Sequence, residues 1–331
     1  MSAKKRFQAR VVAGRYTLPA ALLIVFACRL LAQAVLPVQG RPAGEGSLWA
    51  GHVSLPPALA YWGGFLAQAL AGCLLIVLNN AFALIRIRAS FQTAVWFALL
   101  AAFPPALYAF HAGDAAALAF VCALYFLFGS YRHPSAPSFL FAAAACWGVG
   151  CLAVPQLVFF LPFLWIGAWM FQSLSLRGFL ATLLGWALPY WFLLGHAYWH
   201  GQMDLFLAPF RDMARVAPPF RGFDAPMAGM LGYLFVLWAV AAGRFFAKGY
   251  EDKIRTRNYL RFLVWMALAF FFYAVLQPPY GALLMPLSAA CVSVLAGHLF
   301  VLGHGRMANA FFILALAGVF ALYLWNVWRL S

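Results

Sequence analysis

The sequence predicts an all-α, polytopic transmembrane helical bundle of about eleven spans, within a range of about ten to twelve, and no soluble domain. Three observations carry this expectation. Of 331 residues, 66% are hydrophobic and only 9% are charged; a soluble globular chain carries about 25% charged residues. Apolar runs near the length of a span recur from Thr17 to the end of the chain, and a span needs about 20 such residues. Most of the basic residues fall between these runs.

Taken in order, residues 1–15 form a basic N-terminus with Lys4, Lys5, Arg6, Arg10 and Arg15, followed by an apolar run from Thr17 to Leu36. That order resembles a signal peptide, with Ala32-Gln33-Ala34 as a candidate cleavage site. Arg29 interrupts the apolar region and the basic stretch is long, so an uncleaved first span is expected, with its N-terminus in the cytoplasm. Further spans are expected at 58–78, 92–110, 115–131, 138–154, 156–173, 178–198, 227–247, 259–277, 281–302 and 308–328. The whole of 1–331 reads as one transmembrane domain, with two long outer loops at 37–57 and 199–226.

The charges orient this bundle. With the N-terminus inside, Arg86, Arg88, Arg132, Arg177, Arg244, Lys248, Lys253, Arg255, Arg257, Arg261 and Arg306 join the basic N-terminus in the cytoplasm. Only Arg41, Arg211, Arg215, Arg221 and Arg329 fall outside, as the positive-inside bias requires. This places the C-terminus outside. The net charge of +15 is spread between spans and not gathered into a groove, so no nucleic-acid partner is expected. Membrane lipids are the expected neighbours. The 6 cysteines all lie in apolar runs without a CxxC spacing, and the 7 histidines show no metal-finger spacing. No metal and no cofactor are expected. No Walker or Rossmann glycine pattern is present, so no nucleotide-driven motor is read in this chain.

Several residues are candidates for chemistry. Arg29 lies at membrane depth, where a cation costs about 2.5–3.5 kcal/mol on insertion scales. It is either an anion site or a structural partner of a backbone carbonyl or of Asp114. His196, His200 and Asp204 recur at i, i+4 and i+8 and would share one face of a continuous helix, which Gly201 weakens. They read as interfacial groups beside the aromatic Tyr190, Trp191, Tyr198 and Trp199, more than as a metal site. Within 202–225, Leu205, Leu207, Phe210 and Met213 are expected to form the apolar face of a short interfacial helix, with Arg211, Asp212 and Arg215 elsewhere on it. That helix is either a substrate platform or an anchor. His111 and Asp114 are placed at a tight outer turn, after a span kinked at Pro104-Pro105. Gln277, Pro278, Pro279 and Tyr280 form another outer turn, and these groups could converge with Arg29 on one outward-facing polar pocket. A weak internal echo pairs Pro155 and Pro162 with Pro279 and Pro286.

Three stretches carry a resemblance: LNNAFALIRIRASF at 78–91, HAGDAAALAFVCALYFLF at 111–128, and VPQLVFFLPFLWIGAWMFQSLSLRGFLATLLGWALPYWF at 154–192. They resemble a family of multi-pass inner-membrane proteins of Gram-negative bacteria whose function is unknown. The resemblance implies a bacterial inner-membrane location and brings no catalytic residue with it. The overall plan is also similar, more distantly, to membrane glycosyltransferases that use lipid-linked sugars. Those place a catalytic acid in the first outer loop; here that loop holds Glu45 alone, without a paired acid.

Three functions follow as expectations. The first is a non-enzymatic component of envelope biogenesis or of an envelope assembly, with a protein partner. The second is a glycosyltransferase-like enzyme on a polyprenyl-linked, anionic substrate. There, Glu45 or Asp114 would act as base, Arg29 or Arg211 would hold phosphate, and His111, His196, His200, Asp204 and Tyr280 would contribute to the substrate site. The third is a secondary transporter, against which stands the placing of almost all acids in loops.

Overall fold

The computed structural model describes residues 7–14, 16–35, 57–85, 90–103, 110–214, 216, 218–220, 222–303 and 305–330. Among the described residues the chain is helical, with no strand. The helices are α1 (Phe7–Val12), α2 (Thr17–Val35), α3 (Pro57–Phe82), α4 (Phe91–Ala101), α5 (Ala112–Gly129), α6 (Ala136–Ala153) and α7 (Leu161–Met170). They continue with α8 (Leu176–Trp199), α9 (Met203–Ala214), α10 (Ala225–Lys248), α11 (Ile254–Leu276), α12 (Pro278–Leu302) and α13 (Arg306–Leu330).

Helix is the physical answer to this composition, because a backbone in hydrocarbon needs its hydrogen bonds met within the segment. Proline occupies the first turn of α6, α7, α10 and α12, where its missing N–H is not needed. Among the described residues, eight helices are long and apolar enough to cross a membrane, namely those at 61–82, 112–129, 136–153, 176–199, 225–251, 254–276, 278–302 and 306–328. Every one of the eleven expected segments carries helix, yet three are shorter apolar helices: Thr17–Leu31, Phe91–Ala101 and Pro155–Met170. The last is divided into a 3-10 segment, Pro155–Phe160, and α7, because Pro155 and Pro162 each restart the chain. Pro279 and Pro286 both lie within α12. The two proline pairs therefore build different local structures.

α12 runs through the centre and is almost wholly buried, whereas α13 lies on the outside and is almost wholly exposed. α6 and α8 pack closely through small residues, as helices in membranes do. A Cβ at Gly148 would stand 2.7 Å from the Trp186 carbonyl oxygen, and one at Gly185 would run into the Phe141 carbonyl oxygen.

Two ends of the bundle can be distinguished by their ties. At one, α5 abuts α12, where a Cβ at Gly113 would meet the Leu283 carbonyl oxygen at 2.6 Å, and Asn326 of α13 donates to the Ala102 carbonyl at 2.8 Å. This is the Asp114 end. At the other, Tyr259 of α11 donates to the Phe128 carbonyl at 2.7 Å and stacks on that ring at 4.4 Å. There Gln8 of α1 also donates to the Phe300 carbonyl at 2.6 Å. This is the Asp252 end.

The short helix expected within 202–225 is α9. It is set off from α8 by Gly201, whose φ of +65° is a left-handed conformation that glycine adopts without strain. Its inward side differs from expectation. Pro209 is buried and Phe206 and Met213 pack on the core, while Leu207 and Phe210 stay exposed. The reason is its seat: α9 lies against α8 and the 3-10 segment, and that seat selects the Phe206–Pro209 side.

Candidate functional site

One buried charged cluster lies at the Asp114 end. Arg29 of α2 is 1% exposed. Its guanidinium donates to the Tyr61 carbonyl of α3 and lies 4.4 Å over the Tyr61 ring and 5.7 Å from the Phe65 ring centre. Aromatic faces attract cations, more so when desolvated. Tyr61, Phe65 and Gln68 follow at helical spacing on α3, so one face of that helix presents both the rings and the amide. Gln68, 2% exposed, donates through Nε2 to Oδ1 of Asp114 at 3.1 Å. Arg29 and Asp114 lie within electrostatic reach of each other.

Asp114 is not in a loop, as the sequence suggested; it lies in the first turn of α5 and is 2% exposed. It forms a capping box with His111. The His111 backbone N–H donates to Asp114 Oδ2 at 3.2 Å, and His111 Nδ1 accepts from the Gly113 N–H at 3.3 Å. An accepting Nδ1 requires a neutral ring. Burial agrees with this, since it pushes the His111 imidazole down to about 4. Arg29, His111 and Asp114 thus lie together with Gln68 and Tyr61, as a largely buried cluster. Tyr280 is half-buried, one turn before Leu283, whose carbonyl abuts Gly113. It shares the end of the bundle with this cluster.

The expected face of His196, His200 and Asp204 is interrupted. α8 stops at Trp199, His200 caps it, and Gly201 turns the chain before Met203 opens α9, with Asp204 in its first turn. The two imidazoles remain neighbours, with ring centres 4.4 Å apart, and both are exposed. Asp204 instead pairs with Arg211 at 3.1 Å on the surface of α9. Among the described residues, no group of three or more His, Cys, Asp or Glu could hold a metal ion. Glu45, Arg41, Arg86, Arg88, Pro104, Pro105, Arg215 and Arg221 lie outside the described residues, as does most of the 37–57 loop.

A second charged cluster was not singled out from the sequence. Asp252, buried in the turn between α10 and α11, stands 3.1 Å from His298 Nε2 of the central helix α12. Arg244, Lys248 and Glu251 line a cavity beside the pair, with room for about one water. Arg244 donates to the Leu302 carbonyl at 2.6 Å, meeting a helix-end acceptor. The signal in the sequence was His298, a titratable group inside an apolar run, whose partner 46 positions earlier no spacing rule indicates. Gln68 was a similar signal, a lone amide within an apolar run.

No protein-family model, curated protein or solved structure matches the chain.

Proposed function

We propose that this multi-pass membrane protein is a non-catalytic component of an envelope assembly, seated in a bacterial inner membrane with the Asp252 end in the cytoplasm. One observation carries the reading: the intramembrane charge at the Asp114 end is engaged by the protein itself. Arg29 is held by a carbonyl and two rings, and Asp114 by Gln68 and the His111 backbone. These contacts join α2, α3 and α5, which is the work of a structural staple. A base acting on a polyprenyl-linked sugar would need a carboxylate that substrate can reach, and burial of Asp114 weighs against that role. The orientation is supported by Arg244, Lys248, Lys253, Arg255, Arg257, Arg261 and Arg306, all near the Asp252 end.

The test is native mass spectrometry of the protein extracted gently from its own membranes. A stoichiometric protein partner is the expected result. A retained polyprenyl phosphate or lipid-linked glycan without such a partner would overturn the reading in favour of the enzyme. Reporter fusions check the side: alkaline phosphatase joined after Gly201 should be active, and after Lys253 inactive.

A further inference from the structure

At the Asp252 end, two exposed arginines are fixed in place by the protein. Arg255, in the first turn of α11, donates through Nε to the Tyr259 hydroxyl at 2.6 Å, and that hydroxyl donates on to the Phe128 carbonyl. Tyr259 is fully buried, so this relay is anchored in the bundle. The Arg255 guanidinium carbon lies 5.6 Å, 5.6 Å and 5.5 Å from the ring centres of Phe82, Tyr131 and Tyr259. Arg132, in the turn between α5 and α6, donates through Nε to Oε1 of Gln172 at 2.7 Å. Its backbone N–H also donates to the Phe171 carbonyl at 3.2 Å, which ties its turn to the one between α7 and α8. Arg132 and Gln172 have φ of +50° and +55°, left-handed conformations that glycine takes without strain. In both turns a long polar side chain stands where glycine would be easier, and the two side chains meet.

We propose that Arg132 and Arg255 form a phosphate-binding site at this end of the bundle. Each engages the protein through Nε, which leaves its two terminal nitrogens as a donor fork for a phosphate. The two guanidinium carbons lie 5.8 Å and 5.6 Å from the centre of the same Tyr131 ring, so they stand no more than about 11 Å apart. One phosphate accepting hydrogen bonds of about 2.8 Å from each side spans a gap of that order. The charge balance favours an anion. Among the described residues, neither arginine pairs with a carboxylate. Lys253, Arg255 and Arg257 crowd the start of α11, whose first turn holds no acid, although a helix N-terminus favours negative charge. A bound phosphate relieves the repulsion among the cations and the opposition of the helix dipole together. Exposed Leu174 and Leu176 follow Gln172, and exposed Ile254 precedes Arg255. Apolar neighbours of this kind place the site at the membrane surface, where the phosphate of an anionic lipid is the nearer source.

The experiment titrates the full chain, purified in an uncharged detergent, with dioctanoyl phosphatidylglycerol and separately with inorganic phosphate, and reads dissociation constants by thermophoresis. Phosphatidylglycerol should bind, and Arg132→Gln and Arg255→Gln should each weaken it about tenfold. Arg306→Gln removes a cation from the same end and should leave the affinity unchanged. Gln172→Gly relieves the left-handed backbone while releasing Arg132. It should weaken binding several-fold, with an unfolding temperature no lower than that of the wild-type protein. Inorganic phosphate binding as tightly as the lipid, with the same dependence on both arginines, supports the site and assigns it to a soluble phosphate. Binding of neither ligand, no loss on Arg132→Gln, or a loss on Arg306→Gln equal to that on Arg255→Gln overturns the proposal. Should Arg255→Gln fail to fold, Arg132→Gln and Gln172→Gly, both in exposed turns, carry the test.

Discussion

The Asp252 carboxylate stands 3.1 Å from Nε2 of His298, tying the turn between α10 and α11 to the central helix α12. Removing one member of a buried pair leaves the other buried without its partner. Asp252→Ala should lower stability by about 3 kcal/mol. Adding His298→Gln should cost less than the two single changes together, because contacting residues are not additive. Thermal unfolding in detergent, run as a double-mutant cycle, reads this directly; full additivity would show the two residues to be independent.

Arg29 and Asp114 make a comparable prediction at the other end. Arg29→Leu removes the donor to the Tyr61 carbonyl and the cation nearest Asp114, and should destabilise by about 1–3 kcal/mol. Pairing it with Asp114→Asn restores neutrality and keeps an acceptor for the His111 backbone. The double variant should recover about 0.5–3 kcal/mol of that loss. Unfolding midpoints of the four proteins check it.

The His111 ring makes a contribution to the pH dependence whose sign follows from its burial. Its folded value of about 4 lies below the ordinary imidazole value of 6.5. Between these values the unfolded chain binds more protons than the folded one, so its contribution to stability falls as pH drops from about 6.5 toward 4. Above that window the contribution is constant. His111→Asn keeps a capping acceptor but does not titrate, so its stability curve should be flatter across the window. Parallel slopes for the two proteins would count against His111 as the titrating group.

Two glycines of α8 should behave oppositely. A Cβ at Gly185 would run into the Phe141 carbonyl oxygen, while nothing lies within 4 Å of one at Gly195. Gly185→Ala should destabilise by about 1–3 kcal/mol through overpacking of α6 against α8. Gly195→Ala should be neutral or slightly stabilising. Comparison of their unfolding temperatures with that of the parent protein decides it.

The candidate site was legible in part. Arg29 announced itself as a cation inside an apolar run, and His111 and Asp114 as polar groups beside a span. Their meeting was visible as one option among several. Tyr61 could not be found, because the group that binds Arg29 is its backbone carbonyl and every residue has one. The face of His196, His200 and Asp204 failed at Gly201, where a single left-handed residue redirects the chain. A short helix does form within 202–225, but its inward face is not the expected one. Amphipathic periodicity shows that a face exists; the neighbours it meets decide which residues turn in.

What the sequence by itself determined is the class of the molecule. Composition and run length force helices, since a chain this apolar can satisfy its backbone in a membrane only within each segment. Only the tertiary structure decided which polar groups meet. Gln68 finds Asp114 across 46 positions, and Asp252 finds His298 across another 46. Such pairings arise from the order in which helices pack, and helix packing among uniformly apolar faces is set by small residues and shape that leave little trace in periodicity. The tertiary structure also decided that α12 is buried and α13 exposed, although both are apolar throughout. Hydropathy marks a helix as suited to the membrane, and the packing alone assigns it a neighbour.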